Sequence, residues 1–266
     1  MEVTMSKRIL VLAPHPDDAE FYAGGALAGM IAEGVQVTIA IATDGSKGSF
    51  EYDAPTLRKI RSEEARQAAA VLGADAPVML GHPDLELDML PAGILREQFI
   101  RLIRQVRPDI VFTNDPLDRS EAHPDHRAVA RAATEAVHFS TLPLAHPEHR
   151  AMDLEPHFVV EKYYFGNDPQ VANKIVDISG ALDLKIAALA AHASQMVFLV
   201  EDIVRQAKLA GIDLMAMTGA SGDPATAVRW AMETQAAEIG QKAGFRFGEA
   251  FRYERFHPLV ESLLSA

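Results

Sequence analysis

The sequence predicts an α/β fold: a Rossmann-like, mostly parallel sheet with helices on both faces, plus a helical C-terminal segment. Strand-like and helix-like segments alternate through the first half of the chain, with short loops between them. The strand-like segments are continuous apolar runs, which are typical of parallel strands covered on both faces by helices. Polar and acidic clusters follow these runs, at the edge where such sheets bind their ligands.

The predicted elements follow one another in a regular order. In the first half the strands are RILVLAP, VQVTIAIAT, PVMLG and DIVFTND, and the helices between them span about 20–33, 56–72 and 93–106. Gly73 closes the second helix. In the second half the strands HFVVEKYYF and NKIVDIS precede helices at about 180–193, 197–210 and 225–243, with the loop MTGASGDP before the last helix. We predict a single domain over residues 1–266 with a helical insertion at about 196–239.

Composition restricts the partners and the chemistry. The chain has 266 residues with 25 basic and 37 acidic side chains, and its net charge of -12 argues against nucleic acid as a partner. Because the sequence contains no cysteine, any metal must be held by His, Asp or Glu. No apolar run reaches the roughly 20 residues of a membrane span, and the N-terminus does not resemble a signal peptide. We therefore predict a cytoplasmic protein with a small-molecule substrate.

Four polar loops are predicted to meet at one edge of the sheet. They follow the first four strands and read PHPDD, TDGSKGS, GHPD and NDPLDRSEAHPDH. Carboxyl ends of parallel strands share one edge, so side chains a hundred residues apart converge there. We expect the active site at this edge.

Two of these loops carry the residues of a metal site. His15 and Asp18 follow the first strand, and HPDH at His123–His126 opens a helix. Two imidazoles and a carboxylate suit zinc and leave a position open for water, whose pKa the metal lowers to about 7. A second carboxylate that is not a ligand could take the proton of that water. HPDD supplies both carboxylates, and spacing alone does not say which one binds the metal.

These motifs resemble those of a known family. APHPDDAE and AHPDHRAVA are similar to the paired signatures of the PIG-L or LmbE-like zinc-dependent N-deacetylases, which act on N-acetylglucosamine conjugates. Weaker similarities extend from Ile9 to about Arg252 and include ATDGSKGS, KIAALAAHASQ and FGEAFR. The lead-in TNDP and Glu121, which stands where thiol-biosynthesis members have tyrosine, resemble the diacetylchitobiose-type deacetylases most.

The resemblance implies a role for each site residue. It makes His15, Asp18 and His126 the ligands of one Zn²⁺ per chain. It makes Asp17 the general base, and His123 the residue that stabilises the transition state and protonates the leaving amine. It places Arg61 and Asp84 at the sugar hydroxyls. The implied reaction removes the N-acetyl group of an amino sugar and releases acetate.

Two other functions are compatible with the same residues. Two histidines and a carboxylate also describe the facial triad of a non-haem iron oxygenase. A non-catalytic sugar-binding protein could keep the same fold. Oxygen consumption would identify the first alternative, and the absence of released acetate would identify the second.

Several further motifs have a structural as well as a functional interpretation. HPEH at His146–His149 has the spacing of a second metal site, although no predicted strand edge lies behind it. His192, in HASQ, is either a buried polar anchor or a site residue. The apolar residues 197–204 and Trp230 are predicted to pack between helices or between subunits, and we expect a homo-oligomer.

Overall fold

The computed structural model describes residues 7–166, 171–213, 224–256 and 258–264. Seven strands form its sheet: β1 Arg8–Ala13, β2 Gln36–Thr43, β3 Val78–His82, β4 Ile110–Asn114, β5 Glu161–Phe165, β6 Lys174–Asp177 and β7 Gly248–Glu254. Eight α-helices in the described residues surround the sheet: α1 Asp18–Ala32, α2 Ala54–Leu72, α3 Ile94–Val106, α4 Pro124–Phe139, α5 Leu182–Ala190, α6 Ala193–Leu209, α7 Pro224–Gln241 and α8 Pro258–Leu264.

The strand order is β3-β2-β1-β4-β5-β7-β6. The pairs among the first five strands are all parallel, whereas β7 runs antiparallel to β5 and β6. The predicted mostly parallel sheet is therefore confirmed. Strand β1 lies between β2 and β4, so the order of the strands in the sheet reverses its direction at β1. The loops after β1 and β4 consequently face each other at the crevice where such folds bind ligands.

Both faces of the sheet are buried, which explains the continuous apolar strands. One face packs on α1 and α2 through a cluster that includes Ile9, Val11, Leu27 and Ala65. The other face packs on α3 and α4 through Leu10, Leu12, Phe99 and Val129. Alternate residues of β1 enter the two clusters, so every position from Ile9 to Ala13 is apolar.

Helix boundaries agree with the sequence where local signals are strong. Helix α2 begins after Asp53, whose side chain accepts a hydrogen bond from Thr56 N at 2.9 Å, and ends at Gly73 with φ 84°. An N-cap carboxylate and a left-handed C-terminal glycine are strong helix termination signals. The predicted end at Gly73 is confirmed.

The helical segment near the C-terminus differs from the prediction in one boundary. Helix α6 begins at Ala193 rather than near 197, because Ser194 donates its N–H and hydroxyl to Glu64 of α2 at 2.8 and 2.7 Å. Helices α5, α6 and α7 pack around Met196 and Met232. The predicted loop MTGASGDP falls on residues 217–224, of which 217–223 lie outside the described residues. The single-domain assignment with an insertion at about 196–239 stays a prediction.

The sequence also missed two elements, β7 and α8. Strand β7 carries the buried Glu249 and the half-buried Arg252, so it does not read as an apolar run. Within the described residues no single helix is long and apolar enough to cross a membrane. The pair α5 and α6 meets the length and composition criteria only together, with an 89° bend between the two helices.

Candidate active site

The HPDD turn is built by a sharp change of chain direction after β1. Asp17 has a φ of 122°, a positive value that L-residues rarely adopt, and α1 starts at the next residue. Asp18 closes the turn, since its Oδ2 accepts a hydrogen bond from His15 N at 2.8 Å. The turn thus presents three polar side chains at one helix start, where the α1 dipole favours a carboxylate.

The HPDH motif forms the start of α4, opposite that turn. His123 is the N-cap residue, and its Nδ1 accepts a hydrogen bond from Asp125 N at 3.2 Å. His126 projects from the first turn of the helix toward the HPDD turn. Its Nε2 lies 3.2 Å from His15 Nδ1 and 3.5 Å from Asp18 Oδ1.

Three donor atoms have the spacing of a metal site. His15 Nδ1 lies 3.2 Å from Asp18 Oδ2 and the same distance from His126 Nε2. Ligands of tetrahedral zinc stand about 3.3 Å apart, because each bond to the metal is about 2.0–2.1 Å long. These three residues therefore fit a divalent metal. His123 also offers a nitrogen within 4.8 Å of His15 and His126, but its Nδ1 already caps α4.

Carboxylates hold the outer nitrogen of both imidazoles. His15 Nε2 lies 3.1 Å from Asp125 Oδ2 and 3.2 Å from Asp84 Oδ1. His126 Nδ1 lies 2.8 Å from Glu121 Oε2. Metal-binding histidines commonly donate their second ring N–H to a carboxylate, which fixes the ring and raises its basicity. This arrangement supports the same metal site.

Carboxylates dominate the electrostatics of the donor cluster. Burial opposes protonation of His15, yet hydrogen bonds to Asp125, Asp18 and Asp84 raise its pKa well above the usual value. The pKa of His126 is also raised, since Asp18 and Glu121 outweigh burial. The pKa of Asp18 is lowered because His126 and His15 outweigh its burial. Such a cluster favours a cation between its donors.

Comparison with known proteins places this geometry in a family. A family model described as PIG-L, GlcNAc-PI de-N-acetylase, matches residues 10–137, a range that contains both motifs. Diacetylchitobiose deacetylase from Thermococcus kodakarensis is 33% identical over 192 residues, covering 71% of this chain and 70% of that protein. The chain belongs to the PIG-L family.

Two further PIG-L relatives extend the similarity. A probable N-acetyl-alpha-D-glucosaminyl L-malate deacetylase 2 from Bacillus cereus is 30% identical over 203 residues, covering 74% of this chain and 88% of that protein. The structure of N,N'-diacetylchitobiose deacetylase from Pyrococcus horikoshii, complexed with its inhibitor MPG, superposes with a TM-score of 0.77 at 28% identity. The superposition covers 97% of this chain and 89% of that one. The family resemblance predicted from the motifs is confirmed.

Asp17 is close to the donor atoms of this PIG-L site but has a different environment. Burial raises the pKa of Asp17 to about 6, and the nearby guanidinium of Arg61 opposes that rise. Asp17 Oδ1 lies 3.1 Å from Arg61 NH2. A carboxylate with a pKa near neutrality is suited to general base catalysis.

His123 lies beside the other two histidines of the PIG-L site. Its ring centroid is 4.6 Å from that of His15 and 4.8 Å from that of His126. Burial and then the two neighbouring imidazoles lower the pKa of His123. The family resemblance implies a protonated His123. The lowered pKa disfavours this protonated imidazole until negative charge develops nearby.

The PIG-L resemblance places Asp84 and Arg61 at the sugar, and these two residues lie in different environments. Asp84 faces the cluster, with Oδ1 at 3.2 Å from His15 Nε2 and Oδ2 accepting a hydrogen bond from Lys47 N at 2.9 Å. Arg61 is buried behind the HPDD turn and contacts Asp17. A contact of either residue with the substrate stays a prediction.

Sequence reasoning gave no role to two carboxylates of the PIG-L site. Asp125 is fully buried and accepts hydrogen bonds from Leu85 N at 2.7 Å and Leu87 N at 3.0 Å, in addition to contacting His15. Glu121 was singled out in the sequence only because it stands where thiol-biosynthesis members of the family have tyrosine. Its Oε1 also accepts a hydrogen bond from His123 N at 2.7 Å. In the sequence, Asp125 could have been found through its position within the HPDH motif.

The second histidine motif has protein partners of its own. His149 is fully buried, with Nε2 at 2.8 Å from Glu97 Oε1 and Nδ1 at 3.1 Å from Arg104 NH1. Both ring nitrogens of His149 therefore have protein partners. His192 is also fully buried, and its Nε2 lies 3.4 Å from Glu20 Oε2.

Proposed function

We propose that this chain is a metal-dependent N-deacetylase that removes the acetyl group of a small N-acetylated sugar. The observation that carries the proposal is the grouping of His15 Nδ1, His126 Nε2 and the Asp18 carboxylate, in which each histidine nitrogen lies within 3.5 Å of the other and of one Asp18 oxygen. The largely buried carboxylate of Asp17 is next to Asp18 in the chain. Relatives named as deacetylases of diacetylchitobiose and of N-acetylglucosaminyl malate support it.

His15, Asp18 and His126 would hold the metal, and we propose one Zn²⁺ per chain. When bound, such an ion polarises a carbonyl oxygen and lowers the pKa of water. Asp17 accepts a proton from the attacking water and retains the charge-balancing contact with Arg61. Asp84 and Asp125 keep the His15 ring oriented from the opposite side.

His123 acts on the other half of the reaction. Negative charge on the carbonyl oxygen favours the protonated imidazole, which counteracts the lowered pKa of His123. The proton then passes to the nitrogen of the departing amine. The C–N bond breaks, a C–O bond forms, and the products are acetate and a free amino sugar.

The 2-acetamido sugar is the part that the substrates named for the relatives have in common. The relatives are named for diacetylchitobiose, N-acetyl-alpha-D-glucosaminyl L-malate and a 1D-myo-inositol 2-acetamido-2-deoxy-alpha-D-glucopyranoside. We propose that this group lies at the metal, with its hydroxyls toward Asp84. The sugar carries no charge that requires a basic site, which fits a chain of net charge -12.

The test is acetate release from a panel of N-acetyl sugars by the zinc-loaded protein. We expect stoichiometric acetate and amine from at least one member, loss of activity with a chelator, and recovery with zinc. No acetate from any sugar would contradict the proposal. Oxygen consumption by the iron-loaded protein without acetate would support the oxygenase alternative instead.

We further propose a homo-oligomer in the cytoplasm. Exposed apolar side chains on α6 and α7, among them Ile203 at 46% exposure and Trp230 at 68%, support an assembly because a free surface of this kind is unfavourable in water. Light scattering that gives the mass of one chain would contradict the oligomer.

A further inference from the structure

Arg252 connects the C-terminal strand to the end of β4. Its side chain projects from β7, is 12% exposed and lies over the Tyr164 ring, with the guanidinium carbon 4.0 Å from the ring centroid. Its Nε donates to both carboxylate oxygens of Asp115, at 3.0 and 2.8 Å, and the Asp115 side chain is only 2% exposed. The proposed mechanism gives this ion pair no role.

Asp115 begins the loop that leads into the HPDH motif. Residues 115–123 connect β4 to α4 without helix or strand. Three acidic side chains of this loop each accept a hydrogen bond from the backbone N–H two residues further along. The pairs are Asp115 Oδ1 with Leu117 N at 2.9 Å, Asp118 Oδ1 with Ser120 N at 2.9 Å and Glu121 Oε1 with His123 N at 2.7 Å. These successive turns fix the local path of the chain from the end of β4 to the start of α4.

The far end of the loop holds the two histidines of HPDH. Glu121 Oε2 lies 2.8 Å from His126 Nδ1, and the other oxygen of Glu121 accepts the hydrogen bond from His123 N. Within residues 115–123, all of which the structure describes, Asp115 alone is buried. An exposed loop with few buried contacts is displaced easily, so its position depends on the residue that is fixed in the interior. Arg252 fixes that residue.

We propose that Arg252 is a positioning residue, which through Asp115 holds the loop that places Glu121 against the ring of His126. This inference rests on the proposed function of His126 as a metal ligand. Without the guanidinium, Asp115 keeps its own turn but loses the contact that ties its carboxylate to β7. Glu121 then holds His126 less firmly. Zinc should bind more weakly, because groups that orient a metal-binding histidine contribute about 10- to 100-fold to the affinity.

The experiment is a double-mutant cycle on zinc affinity with Arg252→Met and Glu121→Ala. Competition with a chromophoric chelator measures the Kd of both single variants and of the double variant. We expect Arg252→Met alone to weaken zinc binding about 10-fold, because it acts on the ligand through Glu121. When Glu121→Ala is already present, Arg252→Met should change the Kd by less than about twofold, because the path to His126 is then interrupted.

Arg255→Met is the matched control. Arg255 directly follows β7, at the edge of the sheet away from the active site, since β7 runs antiparallel to β5. It binds the two carboxylate oxygens of Glu261 at 2.8 and 3.0 Å. Its replacement therefore removes a similar ion pair from the same strand, and we expect the zinc Kd of the wild type.

Asp115→Asn covers the case that Arg252→Met does not fold. Asparagine keeps an oxygen for Leu117 N but loses the charge that binds Arg252. This variant should also weaken zinc binding, to a smaller extent than Arg252→Met, because one hydrogen bond to the guanidinium can persist.

Three outcomes would overturn the inference. They are wild-type zinc affinity in Arg252→Met or Asp115→Asn; the same loss of affinity from Arg252→Met with and without Glu121, which indicates another route; and equal losses in Arg252→Met and Arg255→Met, which indicate general destabilisation.

His126→Ala is measured in parallel to separate this inference from the proposed function. Zinc bound to His126→Ala as tightly as to the wild type would mean that the proposed metal site is wrong and the inference falls with it. Loss of zinc from His126→Ala beside wild-type affinity in Arg252→Met would reject the inference alone.

Discussion

Asp17 and Asp18 are chemically identical neighbours with opposite environments. Asp18 faces His15 and His126, which lower its pKa despite burial. Asp17 points to Arg61, and burial raises its pKa to about 6. The environment thus separates a carboxylate that stays ionised from one that can exchange a proton near neutral pH. This separation supports Asp18 as a ligand and Asp17 as a base.

The first prediction compares the two carboxylates directly. Asp17→Asn should retain zinc, because all three ligands remain, and should lose the ~10²- to 10⁴-fold that general base catalysis contributes. Asp18→Asn should instead bind zinc weakly, since a neutral amide replaces the only anionic ligand, and excess zinc should restore part of the activity. Metal analysis and turnover of both variants check this. The reverse pattern of zinc loss would exchange the two roles.

The second prediction concerns Glu121, whose carboxylate contacts the ring of the proposed ligand His126. Glu121→Gln should weaken zinc binding about 10- to 100-fold, because the carboxylate 2.8 Å from His126 Nδ1 no longer raises the basicity of that ring. A competition titration with a chromophoric chelator measures the affinity. Glu148→Gln is the matched control, because Glu148 lies 3.0 Å from His146 in a pair outside the site. Equal affinities for both variants would contradict this role.

At the scale of elements, α1 is held by contacts that explain its paired glycines. Glu249 accepts hydrogen bonds from Gly25 N at 3.0 Å and Ala26 N at 2.8 Å, and Lys185 pairs with Glu249 at 2.6 Å. A Cβ on Gly25 would lie 2.7 Å from Ile178. Glycine at position 25 therefore permits close packing and helps to fix the position from which the helix presents Asp18.

The third prediction compares two glycines of this helix. Gly25→Ala should destabilise the protein by about 1–3 kcal/mol, since the new methyl group overlaps Ile178. Gly29→Ala should stabilise it by about 0.5–1 kcal/mol, because Gly29 has open space and alanine favours a helix interior. Urea unfolding measures both changes. A stabilising Gly25→Ala would show that α1 does not pack against Ile178 as described.

At the scale of the whole molecule, the strand order assembles the site from distant segments. Strands β2 and β4 flank β1 on either side, so His15 and His126 come together although 111 residues separate them. The resulting edge concentrates carboxylates in a chain whose net charge is already -12. A bound cation should therefore stabilise the folded state as well as support the reaction.

The fourth prediction follows from this coupling. Chelation should lower the Tm, and added zinc should raise it, because a ligand that binds only the folded state stabilises it by about 2.7 kcal/mol at a free concentration of 100 Kd. Differential scanning calorimetry of wild type and Asp18→Asn checks this. The variant should show the smaller response to zinc. A zinc response equal in both proteins would place the stabilising ion elsewhere.

The sequence by itself determined the α/β class, most elements and the two metal motifs. Apolar runs, caps such as Asp53 and the helix end at Gly73 depend on residues close in the chain, so local patterns reveal them. The sequence did not reveal β7, because its charged residues Glu249 and Arg252 are neutralised by Lys185 and Asp115, which lie far away in sequence.

Only the tertiary structure decided what each charged side chain faces. Spacing left Asp17 and Asp18 equivalent, and the fold distinguishes them by placing His126 beside one and Arg61 beside the other. It also gave Asp125 and Glu121 their histidine partners. The physical reason is that the energy of a buried charge depends on atoms within a few ångströms, and here strands and helices from distant parts of the chain supply those atoms.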